Sequence, residues 1–225
     1  MTTFALLLFP ALAQLDLTGP YEVFCRCPDA RVHLVWKSMD PVVTEHGMRI
    51  LPTTTFSELP RADVLCVPGG FGVNALLTDD ETLVYLRQLA SGARYITSVC
   101  TGALVLGAAG LLRGRRATTH WTAVDYLTAF GATPAPGRTV TDGPVVTGGG
   151  VTAGIDFALE LAAAMHGRAV AEAIQLAIEY NPAPPFRAGH PDVAPPEITA
   201  ALREKSLPRQ AERAAQVRLA AARLG

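Results

Sequence analysis

Short apolar runs alternate along the chain with longer stretches whose apolar residues recur at helical spacing. Thr3 to Leu8, Arg31 to Trp36, Val64 to Val67, Tyr95 to Ser98 and Val145 to Thr147 read as buried strands. Helices are expected at about Ala13 to Cys25, Asp80 to Ser91, Thr101 to Ala109, Thr122 to Phe130, Thr152 to Met165 and Ala169 to Tyr180. Strands and helices in alternation predict an α/β fold, a doubly wound, mostly parallel sheet with helices on both faces. Val42 to Glu45 and Met48 to Leu51 flank His46-Gly47 and predict a hairpin at the sheet's edge.

The pattern stops at Asn181, after which six prolines fall within the sixteen residues to Pro196 and exclude regular helix or a central strand. This stretch is expected to be an extended arm over the surface. Residues 197–225 turn to Ala, Leu, Arg and Glu, a helical tail that Pro208 should break or kink. With six basic and three acidic residues, the tail reads as a solvated helix docked on the main domain or on a second subunit. The whole chain, 1–225, is thus expected to be one domain with an arm and a tail.

Charge narrows the partners. Nineteen Lys and Arg against twenty Asp and Glu give a net charge of -1, which disfavours bulk nucleic-acid binding. With 49% hydrophobic and 17% charged residues the chain is expected to bury a large core. Phe4 to Ala13 has the look of a secretion signal, but no Lys or Arg precedes it and Pro10 interrupts it, so a buried first strand is the expectation. No apolar run reaches the roughly 18 residues of a membrane span. The protein is expected to be cytoplasmic, with four reduced cysteines.

The segment Tyr95-Ile-Thr-Ser-Val-Cys100-Thr-Gly-Ala103 places a cysteine where a strand runs into a helix. Ser98 and Gly102, two residues before and after Cys100, are the small neighbours that a nucleophile elbow requires. The following helix terminus is expected to lower the thiol pKa from about 8.5 and make Cys100 reactive. A second glycine turn, Pro68-Gly-Gly70, should lie at the same sheet edge, where the N–H groups of Gly70 and Thr101 are candidates to polarise a developing negative charge. Gly148 to Gly154 lacks the ending of a phosphate loop and reads as close helix packing near Cys100.

Asp16 follows the first strand between two leucines. If Leu15 and Leu17 point inward, its carboxylate lies in a partly buried cleft with a raised pKa suited to proton transfer; as an alternative it caps a helix. His120 is a secondary candidate, as partner of Cys100 or as a loop-end hydrogen-bonding residue. Cys25-x-Cys27 has neither redox nor zinc spacing, and Cys66 on a strand reads as core.

Together these motifs resemble the DJ-1/PfpI superfamily, whose cysteine elbow sits on a flavodoxin-like sheet, and within it the isocyanide (isonitrile) hydratases. The resemblance is carried by Leu7 to Pro10, Gln14 to Pro20, Pro68 to Gly70, Thr97 to Gly102, Arg116 to Trp121, Thr147 to Phe157 and Pro182 to Phe186. It implies Cys100 as nucleophile, Asp16 as general acid/base, Thr101 as a polar neighbour, a homodimer, no cofactor or metal, and a small-molecule isocyanide as substrate. Phe71 and Val151 depart from the pattern and bear on the pocket.

Two rivals stand beside this reading. One is a DJ-1-type glyoxalase acting on methylglyoxal through the same cysteine. The other is a ligand or redox sensor related to the amino-terminal domains of AraC-type regulators, although the 29 residues after Pro196 are too few for a helix-turn-helix module.

Overall fold

A computed structural model describes residues 1–225. The strands are β1 (Thr2–Leu7), β2 (Ala30–Trp36), β3 (Val42–Val43), β4 (Arg49–Ile50), β5 (Thr54–Thr55), β6 (Val64–Val67), β7 (Tyr95–Val99), β8 (Arg116–Ala117), β9 (Thr133–Pro134), β10 (Thr139–Asp142) and β11 (Val145–Gly148). The α-helices are α1 (Gln14–Phe24), α2 (Val73–Leu76), α3 (Asp80–Gly92), α4 (Gly102–Ala108), α5 (Ala153–His166), α6 (Arg168–Ala177) and α7 (Pro196–Ala222).

Seven strands form the main sheet in the order β10, β11, β7, β6, β1, β2, β5. Every neighbouring pair is parallel except β10 with β11. The central strands are buried on both faces, which is why they read as continuous apolar runs rather than as alternating ones. Chain order reverses direction across β1 and β6, so the loops after β1, β6 and β7 converge at one carboxyl edge, the usual place for a site in this architecture. Phe4, Phe24 and Phe157 form the aromatic centre of one layer, with ring centroids 4.7 and 6.0 Å apart in successive pairs.

Three expectations need correction. The hairpin exists, with β3 and β4 antiparallel, but it is a separate ribbon, and β5 takes the sheet's edge beside β2. The ribbon instead clamps the loop after β1, where Ala11 N–H donates to Val43 O at 2.8 Å and Glu45 N–H to Leu12 O at 3.0 Å. The helix from Trp121 to Phe130 is 3₁₀ rather than α, with His120 as its N-cap. Its Phe130 ring seats directly on α4, where a Cβ on Gly107 would come within 2.5 Å of the ring.

Pro208 does not break α7, which runs unbroken through it. Proline removes one N–H and crowds one carbonyl, and tertiary anchors on both sides of Pro208 hold the helix. Before it, the Arg203 guanidinium lies over the Trp121 ring, 5.8 Å from its centre. After it, Arg213 Nε donates to Asn74 Oδ1 at 3.0 Å, Tyr126 Oη to Gln210 O at 3.1 Å, and Arg223 Nη1 to Thr78 O at 3.2 Å. The tail therefore docks on the same chain, over α2 and the 3₁₀ helix. Residues 181–190 form neither helix nor strand and are exposed throughout. No helix is long and apolar enough to cross a membrane.

Candidate active site

Cys100 sits between β7 and α4 with φ at +54°, the left-handed region that costs a non-glycine residue of the order of 1–3 kcal/mol. Two hydrogen bonds hold it there: its N–H donates to Gly148 O at 3.0 Å, and Thr119 Oγ1 donates to its carbonyl at 2.7 Å. Gly102 is required by the turn, because a Cβ there would lie 2.1 Å from Val67 O. The strand-to-helix elbow expected around Cys100 is formed.

Asp16 is the third residue of α1 and is fully buried. The N-cap is Ala13, so the capping alternative falls; Leu17 points into the core, whereas Leu15 turns outward and is 38% exposed. Asp16 Oδ2 accepts the Gly69 N–H at 2.9 Å, while Oδ1 is buried without a hydrogen-bond partner and the Cys100 thiol stands beside the carboxyl. Burial raises the carboxyl from 3.8 to about 7, against the lowering pull of Gly69 N–H and the thiol and with a further push from the Glu45 charge. A helix amino terminus lends a carboxylate at most about 2 kcal/mol, and burial outweighs it here.

The thiol moves opposite to expectation. Burial and the neighbouring Asp16 charge hold Cys100 well above the ordinary thiol range, despite donors from the Thr101 N–H and hydroxyl. Helix-terminus stabilisation is too small to offset a buried anion beside a second anion. The pair therefore enters the neutral range as a protonated thiol beside a carboxyl that holds its proton far longer than a free one.

Gly70 lines the site, but its N–H donates to Thr101 Oγ1 at 3.2 Å and is not free for substrate. Thr101 keeps its own N–H toward the sulfur. Gly69, rather than Gly70, is the close-packed glycine against the acid: a Cβ there would lie 2.7 Å from both Asp16 Oδ2 and Thr101 N. His120 lines the same cavity, yet no hydrogen bond joins it to Cys100; its Nδ1 accepts from Thr122 N at 3.3 Å as the 3₁₀ cap. Burial and the nearby Arg213 push it down to about 4, so it is a neutral wall residue at working pH. The third glycine turn packs as expected, with Gly154 against Pro20 and Val99 and Gly148 bonded to Cys100.

The cavity above Cys100 holds about 390 Å³. Phe71, Trp121 and Val151 form its apolar side, and Arg209 stacks on Phe71 with its guanidinium 3.5 Å from the ring centre. Glu45 from the β3–β4 ribbon and Leu202, Lys205, Ser206, Arg209, Gln210 and Arg213 of α7 complete it. None of these seven stands out in the sequence. The one signal is spacing, since positions 202, 205, 206, 209, 210 and 213 share one helical face.

A parallel α/β sheet bearing a strained cysteine at its carboxyl edge, with a buried carboxyl at its side, defines a class of cysteine-elbow proteins. The chain belongs to the DJ-1/PfpI family, whose profile matches residues 3–164. The isonitrile hydratase of Pseudomonas putida is 53% identical over 202 residues, covering 90% of this chain and 89% of the relative. A crystal structure of a THiJ/PfpI family protein from Pseudomonas syringae superposes with a TM-score of 0.94 at 41% identity, over 96% of this chain and 90% of that one. An HTH-type transcriptional regulator of Pseudomonas aeruginosa is 36% identical over 95 residues, 42% of this chain and 28% of the regulator.

Proposed function

We propose that this protein is an isocyanide hydratase, converting an organic isocyanide and water into an N-substituted formamide. The observation that carries the reading is the Cys100–Asp16 pair, set in a chain similar over nine-tenths of its length to an isonitrile hydratase. Cys100 Sγ attacks the terminal isocyanide carbon, the thiol proton moves to that carbon, and the product is a thioimidate, R–N=CH–S–Cys100. Asp16 then takes a proton from water as the water oxygen adds to the same carbon and hands that proton to the nitrogen, giving R–NH–CH(OH)–S–Cys100. Collapse breaks the C–S bond, passes the hydroxyl proton to the sulfur and releases R–NH–CHO. Asp16 Oδ1, buried and unpartnered, is the atom suited to these transfers. The Thr101 N–H steadies negative charge on the sulfur as it leaves. Every step uses side chains and water, so the reading needs no cofactor.

The same reading has the enzyme acting in the cytoplasm as a homodimer. Leu176 and Phe186, 81% and 79% exposed on α6 and the arm, are apolar side chains that a second subunit would cover. Light scattering tests this, and a monomer at micromolar concentration would refute it.

The activity test is formamide production from a small isocyanide by wild type, Cys100→Ala and Asp16→Asn, with methylglyoxal consumption alongside. Turnover in the wild type and its loss in both variants is the expected result. Methylglyoxal consumption without formamide would overturn the hydratase in favour of the glyoxalase.

A further inference from the structure

The α7 side of the cavity carries an unusual charge arrangement. Lys205, Arg209 and Arg213 line it at i, i+4 and i+8 along α7, a row of like charges that weakens an isolated helix. None of the three is in an ion pair with a carboxylate. Arg209 lies on the Phe71 ring, and Arg213 gives only its Nε–H, to the neutral Asn74 amide oxygen at 3.0 Å.

Arg213 is the sharpest of these. The residue is only 3% exposed, and its two Nη groups, which have no protein acceptor, are not sealed in protein but keep their contact with the cavity. Desolvating a guanidinium without a counter-charge is costly, and chains normally pair one or leave it in water. Gln210, also on the wall, has a buried Oε1 without a hydrogen-bond partner. Glu45 of the β3–β4 ribbon lines the same cavity, and Glu204 and Glu212 adjoin Lys205 and Arg213 on α7, but none of them pairs with the row. A purely hydrocarbon isocyanide filling this cavity would leave the buried cation still uncompensated.

We propose that Arg213, backed by Arg209 and Lys205, binds an anionic substituent of the substrate, making this enzyme selective for isocyanides that carry a carboxylate. This rests on the hydratase reading. The isocyano carbon meets Cys100 at the floor of the cavity, and the carboxylate meets the α7 wall, where a guanidinium offers two parallel N–H donors. Arg213 thereby becomes a specificity-determining residue that takes no part in bond making.

The test compares potassium isocyanoacetate with methyl isocyanoacetate, the same isocyanide with its charge removed. The wild type is expected to show a kcat/KM at least about tenfold higher for the carboxylate, expressed mainly in KM. In Arg213→Gln the ratio of the two kcat/KM values falls toward one, and Arg213→Lys recovers part of it. A second measurement needs no variant: N-formylglycine should inhibit the wild type at least about tenfold more strongly than its methyl ester. Equal or faster turnover of the ester, equal inhibition, or an unchanged ratio in a folded Arg213→Gln protein would overturn the proposal and leave the hydratase standing. Turnover of neither isocyanide would overturn the hydratase reading itself, and this proposal with it.

Discussion

Replacing Asp16 by asparagine should make the protein more stable at alkaline pH while removing its activity. The carboxyl is fully buried and titrates at about 7 instead of 3.8. Because the folded state holds the proton more tightly than the unfolded chain, stability falls as pH rises through the window from 3.8 to about 7. At about 1.4 kcal/mol for each pH unit, ionising Asp16 in place costs about 4 kcal/mol above that window, of which about 3 kcal/mol accrues above pH 5. Asparagine keeps an oxygen for the Gly69 N–H and has no charge to bury. Its amide N–H₂ meets the space where Oδ1 has no partner, a cost of about 1–3 kcal/mol that does not vary with pH. The assay is thermal unfolding of both proteins at pH 5 and pH 8.5. The Tm of Asp16→Asn should gain roughly 6–12 °C relative to wild type between the two conditions. A Tm difference that stays constant between them would refute the raised carboxyl.

Three further outcomes follow from the same geometry. Iodoacetamide should label the Cys100 peptide of the wild type only in the alkaline range, and Asp16→Asn should shift that profile to lower pH because the neighbouring negative charge is gone; mass spectrometry separates it from the exposed Cys25. Gly69→Ala forces a methyl group against Asp16 Oδ2 and Thr101 N, so it should cost about 1–3 kcal/mol in denaturant unfolding and lower kcat/KM about tenfold or more. Pro208→Ala restores an N–H within the unbroken α7 and should raise stability by about 1–3 kcal/mol, read as a higher Tm with unchanged far-ultraviolet dichroism.

The parts of this site that a sequence reveals are those built by local chain geometry. Cys100 between small residues at a strand end, and the glycines that let β6 and β7 approach it, are written in adjacent positions. Asp16 is legible for a different reason, as a charge in an apolar run, although its leucine neighbours face opposite ways. What stays hidden depends on distant packing. Arg213 is separated from Cys100 by more than a hundred residues, and only the docking of α7 brings it to the cavity. The Cys100 pKa is misread from sequence because the elbow motif announces the helix terminus and is silent about depth of burial and about Asp16 arriving from α1. The Gly70 N–H is misread as free because its acceptor, Thr101 Oγ1, comes from a turn 31 residues away. Pro208 reads as a helix breaker in isolation, and the anchors that overrule it lie on α2 and the 3₁₀ helix.

The most direct test of the account is the mass of the Cys100 peptide after Asp16→Asn is mixed with an isocyanide and quenched. With no carboxylate to take the proton from water, the thioimidate should accumulate, adding the full mass of the isocyanide to that peptide and to no other. Formamide release by Cys100→Ala at the wild-type rate, with no adduct on Cys100 in either the wild type or Asp16→Asn, would contradict it.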